Sequence, residues 1–216
     1  MVKNIMDRFV VLSELFIRYP ILEVNKESII LSTLKIIDAI RSGHKILVCG
    51  NGGSAADAEH IVGELMKNFK IKRKITNSFK DAYYEKNNVH VPEWLEGAIP
   101  AISLVSQTAL NTAFCNDESS EGVFAQQVFG YGIDGDVLIC ISTSGESKNI
   151  IEAARMARAK NIFSVALTGR NKSALSTIAD ITINVPETET YKIQELHLPI
   201  YHAICAELER NLFKND

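Results

Sequence analysis

Two polar loops, each between an apolar run and a helical pattern, carry groups that could bind a phosphorylated ligand. The first loop is GNGGS at residues 50–54, directly after the apolar run KILVC. Glycines allow the backbone to turn tightly and to approach a ligand, and the helix that follows directs free N–H groups towards an anion. Because a glycine-rich turn is also common without a ligand, this loop alone leaves a binding site and a purely structural turn open.

The second loop is STSGES at residues 142–147, between the apolar run DVLICI and a helical pattern. The hydroxyls of Ser142, Thr143, Ser144 and Ser147 fall within this loop, which is more than one helix cap requires. Hydroxyls and free amides suit a phosphate monoester, which accepts many hydrogen bonds. The loop has no lysine, so it favours a sugar phosphate over a nucleoside triphosphate. The alternative is a helix cap with an extra turn.

Two further helical patterns carry side chains that could transfer protons or bind a metal ion. His60 and Glu64 are four residues apart and share a helix face. They could be an acid and a base, two metal ligands, or an ordinary surface pair. Gln194 and His202 are eight residues apart, which separates them by ~12 Å along a straight helix and offsets them by ~80°. Both could touch one ligand only if their side chains lean together or the helix bends, and Pro199 offers a bend.

Other reactive residue types are predicted to be structural. His197 is three residues from Gln194 and competes for its role, but a histidine on an apolar helix is more often a hydrogen-bonded core residue. The cysteines match no disulfide or zinc spacing, and the N-terminus lacks the pattern of a signal peptide. We therefore expect reduced thiols in a cytoplasmic protein, with no catalytic role for any cysteine. The cysteines are Cys49, Cys115, Cys140 and Cys205.

These groups must be positioned by an α/β framework. Apolar runs of strand length begin at Lys45 and recur at residues 99–105, 136–141, 162–167 and 181–185. Helical patterns separate or follow them, at residues 54–68, 108–115, 121–130, 146–159, 173–178 and 191–213. This alternation with short loops predicts a three-layer α/β/α sandwich around a five-stranded parallel sheet, covered on both faces.

Two segments lie outside this alternation. Residues 1–43 are predicted to form two amphipathic helices; Pro20 marks the end of the first, Asn25 can cap the second, and Gly43 suits its C-terminal end. Their apolar stripes exceed what one domain needs to cover, so we expect subunit contacts there. Residues 77–98 are polar and without a clear period, which predicts a long excursion typical of lids or contact surfaces.

Length and composition narrow the class of protein. The 216 residues fit a single α/β domain, and 46% apolar and 23% charged residues exclude a disordered chain or a coiled-coil rod. No apolar run approaches the ~20 residues of a membrane span. A net charge of −3 argues against nucleic acid as a partner. The basic cluster at residues 67–74 is predicted to be a solvated helix end.

Taken together, these segments resemble the phosphoheptose isomerase family of sugar-isomerase (SIS) domain proteins. The resemblance covers the whole chain, and its motifs occur in order with fitting spacing. They are GNGGSAADAEHIVGEL, ND at 116–117, ISTSGES, LTG at 167–169 and IQELH with a later histidine. The resemblance implies a flavodoxin-like SIS fold and a homotetramer with active sites between subunits. It also implies conversion of sedoheptulose 7-phosphate to D-glycero-D-manno-heptose 7-phosphate, for lipopolysaccharide or another surface glycan such as a capsule.

The resemblance also implies roles for individual residues. Glu64 would be the base and His202 the acid in an enediol(ate) proton transfer. Zn²⁺, bound by some members, would have as its ligands His60, Glu64, Gln194 and His202. The phosphate would be held by Ser142, Thr143, Ser144 and Ser147. The rest of the sugar would contact Asn51, Gly52, Gly53, Glu64, Asn116, Asp117 and Gln194.

Two departures from the family pattern bear on which sugar is used. Residues 77–98 resemble an insertion relative to the shortest members, and Tyr191 stands where some members have an aspartate. An isomerase of another sugar phosphate is therefore the first alternative. The second is a non-catalytic SIS protein that binds a protein partner, although the joint presence of Glu64, Gln194 and His202 weighs against it.

Overall fold

A five-stranded parallel sheet forms the centre of the computed structural model, which describes residues 9–213. The strand order is β2-β1-β3-β4-β5, and every neighbouring pair is parallel. The predicted five-stranded parallel sheet is therefore confirmed. The strands are β1 (Ile46–Gly50), β2 (Ala101–Ser103), β3 (Val137–Ile141), β4 (Phe163–Thr168) and β5 (Ile181–Asn184).

Helices cover both faces of the sheet because alternate side chains of the strands are apolar on both sides. One face packs on α1, α2, α3 and α9, and the other on α6, α7 and α8. All five residues of β1 and of β3 are buried, as expected for central strands of a parallel sheet. The helices are α1 (Val10–Arg18), α2 (Lys26–Arg41), α3 (Gly53–Met66), α4 (Asn77–Asn87), α5 (Thr108–Asp117), α6 (Val123–Tyr131), α7 (Lys148–Ala159), α8 (Ala174–Ile178) and α9 (Thr190–Phe213).

The N-terminal segment forms two helices ahead of the sheet, as predicted, although residues 1–8 lie outside the described part. A 3₁₀ helix, Pro20–Asn25, joins α1 to α2, and Gly43 after α2 adopts a φ of +86°. The predicted capping role of Asn25 is wrong. Asn25 stands at the N-cap position of α2, but its Nδ2 donates to the carbonyl of Asn184, 2.8 Å away at the end of β5. The side chain of Asn25 thus makes a tertiary hydrogen bond to β5 instead of capping α2.

Residues 77–98 contain a helix that the sequence did not predict. Thr76 Oγ1 accepts a hydrogen bond from Phe79 N at 3.3 Å, and Asn88 closes α4 in the left-handed conformation at φ 54°. No residue of α4 is buried. A helix that buries no side chain needs no apolar stripe, so no helical period marks it in the sequence.

Helix α9 carries two fully buried glutamates that bind the backbone of other elements. Glu207 Oε2 accepts the N–H of Val11 at 2.8 Å. Glu209 accepts the N–H groups of residues 69, 70 and 71, together with Nε of Arg73 at 2.9 Å. The basic cluster at 67–74 is therefore only partly a solvated helix end, because Arg73 within it is buried. Within residues 9–213, no helix has the length and apolar character to cross a membrane.

His197 is a buried core residue, as its setting in the sequence predicted. Its Nε2 lies 3.3 Å from the carbonyl oxygen of Thr168 at the end of β4. Burial lowers the pKa of His197 to about 4, because the charged imidazolium loses its hydration, while the carbonyl partly opposes the shift. The native protein therefore keeps His197 neutral over most of the range in which an unfolded chain would protonate it.

We expect His197 to make stability fall as the pH falls below 6.5. The unfolded state then binds a proton that the native state excludes, so the free energy of unfolding drops by about 2 kcal/mol between pH 6.5 and 5. His197→Gln should lack this loss of stability at low pH, while His90→Gln, a variant at an exposed histidine, should retain it. Urea unfolding at both pH values, at one protein concentration, measures the difference. Equal pH dependence in His197→Gln and wild type would contradict the assignment.

Candidate active site

The two polar loops meet at the carboxyl edge of the sheet, where β1 and β3 are neighbours. In a sheet of this order, the chain leaves these two strands towards opposite faces and opens a crevice that commonly binds ligands. Asn51 in the first loop and Asn149 on α7 bridge the crevice. Each Nδ2 donates to the other residue's Oδ1 at 2.9 Å. Sequence analysis missed Asn149, since an asparagine in the first turn of a helix carries no distinguishing pattern.

The glycine-rich loop allows other groups to approach its backbone closely. Gly52 has a φ of +56°, which disfavours any residue with a side chain. At Gly53, the first residue of α3, a Cβ atom would lie 2.6 Å from Nε2 of Gln194. The loop is thus more than a simple turn, because it receives the carboxamide of Gln194 from α9.

The hydroxyl loop is organised internally and does not serve as a helix cap. Ser142 is buried, donates to Ser147 Oγ at 3.2 Å and accepts from Gly145 N at 3.1 Å. Ser147 occupies the N-cap position of α7 but makes no side-chain cap hydrogen bond. Beside the loop lies a cavity of about 340 Å³, bordered by Thr143, Ser144, Gly169, Lys172 and Thr190. The cavity has the size of a small-ligand site.

His60, Glu64 and His202 converge where α3 and α9 pack together. His60 Nε2 lies 3.3 Å from Glu64 Oε1 and 3.4 Å from His202 Nε2. The other oxygen of Glu64, Oε2, is buried and has no hydrogen-bond partner within residues 9–213. Burial and the neighbouring His60 lower the pKa of His202, and Glu64 opposes them. Two imidazole nitrogens and a carboxylate oxygen thus each lie within 3.4 Å of the next along the series His202, His60 and Glu64.

Tyr201 contacts this cluster through the Nδ1 atom of His60, and Asp57 in turn contacts Tyr201. The Tyr201 hydroxyl lies 3.1 Å from Asp57 Oδ1 and 3.1 Å from His60 Nδ1. Burial, reinforced by Asp57, raises the pKa of Tyr201 far above its usual range, so the phenol stays protonated. Burial also raises the pKa of Asp57, although Tyr201 and His60 act in the opposite direction. Sequence analysis did not single out either residue.

The structure brings only part of the sequence-predicted site together in one chain. Gln194 contacts Gly53, which is seven residues, or about 10 Å along α3, from His60. Helix α9 continues through Pro199. Asn116 and Asp117 are exposed at the end of α5, where Asn116 Nδ2 donates to Asp117 Oδ1 at 2.7 Å.

The cluster is compatible with a zinc ion, although within residues 9–213 no three His, Cys, Asp or Glu side chains already form a metal-binding group. Ligand atoms around tetrahedral zinc lie roughly 3.3–3.5 Å apart, given bonds of about 2.0–2.2 Å. The two distances from His60 Nε2 match that spacing. Glu64 Oε2, which has no hydrogen bond within residues 9–213 and lies 3.9 Å from Lys67 Nζ, offers a further ligand atom. His60, Glu64 and His202 are therefore the residues suited to bind it.

Sequence comparison identifies relatives along most of the chain. SIS domain family models match residues 102–209 and 17–80. The phosphoheptose isomerase of Shewanella baltica is 36% identical over 197 residues, covering 90% of this chain and 88% of that protein. Phosphoheptose isomerase 2 of Campylobacter jejuni is 40% identical over 182 residues, covering 84% and 79%.

Solved structures of similar proteins share the fold. Phosphoheptose isomerase GmhA from Neisseria gonorrhoeae has 33% sequence identity and a TM-score of 0.67, covering 83% of this chain and 84% of its own. A phosphoheptose isomerase from Francisella tularensis has 28% identity and a TM-score of 0.74, covering 97% and 98%. The architecture predicted from the sequence, an α/β SIS fold with helices ahead of the sheet, is thus confirmed by both the sheet and these neighbours.

The contact between Gly53 and Gln194 predicts that Gly53→Ala acts through Gln194. The new Cβ would displace the carboxamide, and such a misplacement should lower catalytic efficiency towards the implied sugar phosphate roughly 10–100-fold. Gln194→Ala should give a similar loss, and the double variant no further loss, because the two changes remove one interaction. Steady-state kinetics measures all three.

Gly130→Ala is the matched control, since a Cβ at Gly130 on α6 meets no atom within 4 Å. It should keep wild-type kinetics. Additive losses in the Gly53–Gln194 double variant would show that the two residues act independently.

Proposed function

Because this chain belongs to the phosphoheptose isomerase family of SIS-domain proteins, we propose that it converts sedoheptulose 7-phosphate to D-glycero-D-manno-heptose 7-phosphate. The observation that carries the proposal is the convergence of Glu64, His60 and His202 between the two helices whose N-terminal ends border the crevice. An aldose–ketose isomerase needs one group for the C1 proton and another for the oxygens. A carboxylate and an imidazole on facing helices supply both.

The phosphate is assigned to the hydroxyl loop. Thr143, Ser144 and Ser147 provide donors at the start of α7, while Ser142 shapes the loop from inside. Hydroxyl and amide donors at a helix N-terminus suit a phosphate dianion. The adjoining cavity has room for the end of a phosphorylated chain.

The sugar is assigned to the crevice on the β1 side. Asn51, Gly52 and Gly53 line it, and the carboxamide of Gln194 reaches it over Gly53. We assign Asn116 and Asp117 to the sugar chain of a site shared with a neighbouring subunit. Their exposed position at the end of α5 leaves both side chains free to contact another copy.

Glu64 is assigned as the base and His202 as the acid. Glu64 Oε1 lies 3.3 Å from His60 Nε2 and Oε2 lies 3.9 Å from Lys67 Nζ, and neither contact prevents the carboxylate from accepting the C1 proton. His202 is half-buried beside it and serves the substrate oxygens. The resulting enediol returns the proton at C2, which completes the isomerisation.

A zinc site is part of the proposal. His60, Glu64 and His202 would hold the ion, and Gln194 would complete the set if it moves towards them or if a second chain supplies it. When bound, Zn²⁺ would polarise the carbonyl and stabilise the developing oxyanion. The positions of His60 and His202, with ring nitrogens 3.4 Å apart, support this assignment.

We also infer a homotetramer located in the cytoplasm, whose product supplies heptose for a surface glycan such as lipopolysaccharide or a capsule. Exposed apolar side chains on and between the first two helices support the assembly, since a row of them is costly to leave in water. The exposed residues are Val10, Ile17, Ile21, Val24 and Leu31. The proposed subunit contacts involve this surface and α3.

Light scattering at micromolar concentration tests the assembly. Wild type should have the mass of four chains. Changing Ile17 and Val24 together to Glu should dissociate it, because four or more carboxylates would enter apolar contacts. Ile133→Glu is the control: Ile133 is 54% exposed and lies in the loop between α6 and β3, outside the proposed contact surface, so the mass should not change. A monomeric wild type would contradict the proposal.

Turnover of sedoheptulose 7-phosphate, followed by mass spectrometry, tests the function directly. In D₂O, wild type should also place solvent deuterium at C2 of the aldose formed and, through the reverse reaction, at C1 of the recovered ketose. Glu64→Gln keeps the size of the side chain but removes the base, and should lower both rates roughly 10²–10⁴-fold.

Metal content of the variant must be measured beside its rate, because Glu64 is also a proposed ligand. Loss of exchange with zinc retained supports the base role. Near-wild-type isomerisation by Glu64→Gln would overturn the mechanism, and a wild type inactive on sugar phosphates would overturn the function.

A further inference from the structure

The hydroxyl of Tyr201 bridges the half-buried carboxylate of Asp57 and the ring of His60. It lies 3.1 Å from Asp57 Oδ1 and 3.1 Å from His60 Nδ1, and the Tyr201 side chain is almost fully buried. Asp57 Oδ2 is buried as well and has no hydrogen-bond partner within residues 9–213. The Tyr201 hydroxyl is therefore the hydrogen-bond donor on which the side chain of Asp57 depends.

A phenol has one proton and can donate it to only one of its two neighbours. If the Tyr201 hydroxyl donates to His60 Nδ1, the carboxylate of Asp57, whose Oδ2 is buried, keeps no donor within residues 9–213, which is the costlier arrangement. If it donates to Asp57, its oxygen remains free to accept a hydrogen bond from His60. That second hydrogen bond requires the proton of His60 to be on Nδ1.

A proton on Nδ1 leaves a lone pair on the other ring nitrogen. His60 Nε2 faces Glu64 Oε1 at 3.3 Å and His202 Nε2 at 3.4 Å. With that tautomer, the Nε2 lone pair points into the space shared with Glu64 and His202. The opposite tautomer would fill this space with the Nε2 hydrogen.

We propose that Tyr201, anchored by Asp57, is a positioning residue that holds His60 in the Nδ1–H tautomer and so keeps Nε2 ready to bind a metal ion. The inference rests on the proposed zinc site for its consequence, but the tautomer itself is a property of the metal-free protein. Hydrogen bonds of this kind to a ligating histidine typically change metal affinity 10–100-fold when removed.

The decisive experiment is ¹⁵N NMR of histidine-labelled protein after removal of metal. Long-range ¹H–¹⁵N correlations distinguish Nδ1–H from Nε2–H, and loss of signals in His60→Gln assigns the ring. Wild type should show His60 with a proton on Nδ1. Tyr201→Phe, which removes only the hydroxyl, should shift the population towards Nε2–H and raise the zinc dissociation constant 10–100-fold in a chelator competition.

Two further variants keep the result interpretable. Tyr131→Phe removes a hydroxyl from a partly exposed tyrosine on α6 and should leave both readouts unchanged. Asp57→Asn retains Tyr201 and the packing, but its amide N–H can donate to the phenol oxygen and release the phenol proton towards His60. It should therefore shift the tautomer in the same direction as Tyr201→Phe, even if that variant folds poorly.

The outcomes separate this inference from the proposed function. A Nε2–H tautomer in wild type, an unchanged tautomer in both variants, or a rise in the zinc dissociation constant below twofold in Tyr201→Phe would overturn the positioning role. The first of these results would leave the proposed isomerase function standing, because turnover of the sugar phosphate is measured separately. Conversely, a wild type with the Nδ1–H tautomer but no isomerase activity would support the positioning role and contradict the proposed function.

Discussion

The buried ion pair between Arg73 and Glu209 fixes where α3 ends relative to α9, and the cluster of His60, Glu64 and His202 depends on that placement. Glu209 also accepts three backbone N–H groups after α3, while Arg73 donates to the carbonyl oxygens of Glu64 and Leu65. Removing one partner of such a pair typically costs about 3–5 kcal/mol, because the other charge stays buried. Here every charged oxygen and nitrogen has partners, so the pair locks the end of α3 against α9. His60 and Glu64 lie within two turns of that end, opposite His202.

Helix α9 combines two tasks along its length. Gln194 near its N-terminal end contacts the glycine-rich loop and His202 at its middle faces α3, while its last turns bury Glu207 and Glu209. Glu207 holds the first turn of α1, so the same helix also anchors the N-terminal segment. Side chains of the candidate site and side chains that fix the backbone thus share one helix, which transmits any shift in packing to the site.

The sheet and the helices around it could be predicted from the sequence because buried positions recur as apolar residues with a regular spacing. Apolar runs located the five strands, and Gly52 and the hydroxyl loop marked the crevice. The features that were not predicted are tertiary contacts, which leave no local pattern in the sequence. Asn25 reaches Asn184 across the fold, and Arg73 is buried although its neighbours in sequence are exposed lysines. Tyr201 and Asn149 matter only because the packing of α9 and the adjacency of β1 and β3 bring them to their partners. The residue types of the candidate site were suggested by the sequence, whereas the separation of Gln194 from the His60 cluster follows only from the packing of α9 on α3.

The paired carboxamides of Asn51 and Asn149 have a consequence for the thermodynamics of ligand capture. Each carboxamide uses one N–H and one oxygen lone pair in the hydrogen bonds to the other. A second N–H and a second lone pair of each side chain remain available to a ligand. The two walls of the crevice are thereby spaced and oriented by the protein itself. Ordering these loops is an entropic cost that then falls on folding, and association with a ligand retains more of its interaction energy as affinity.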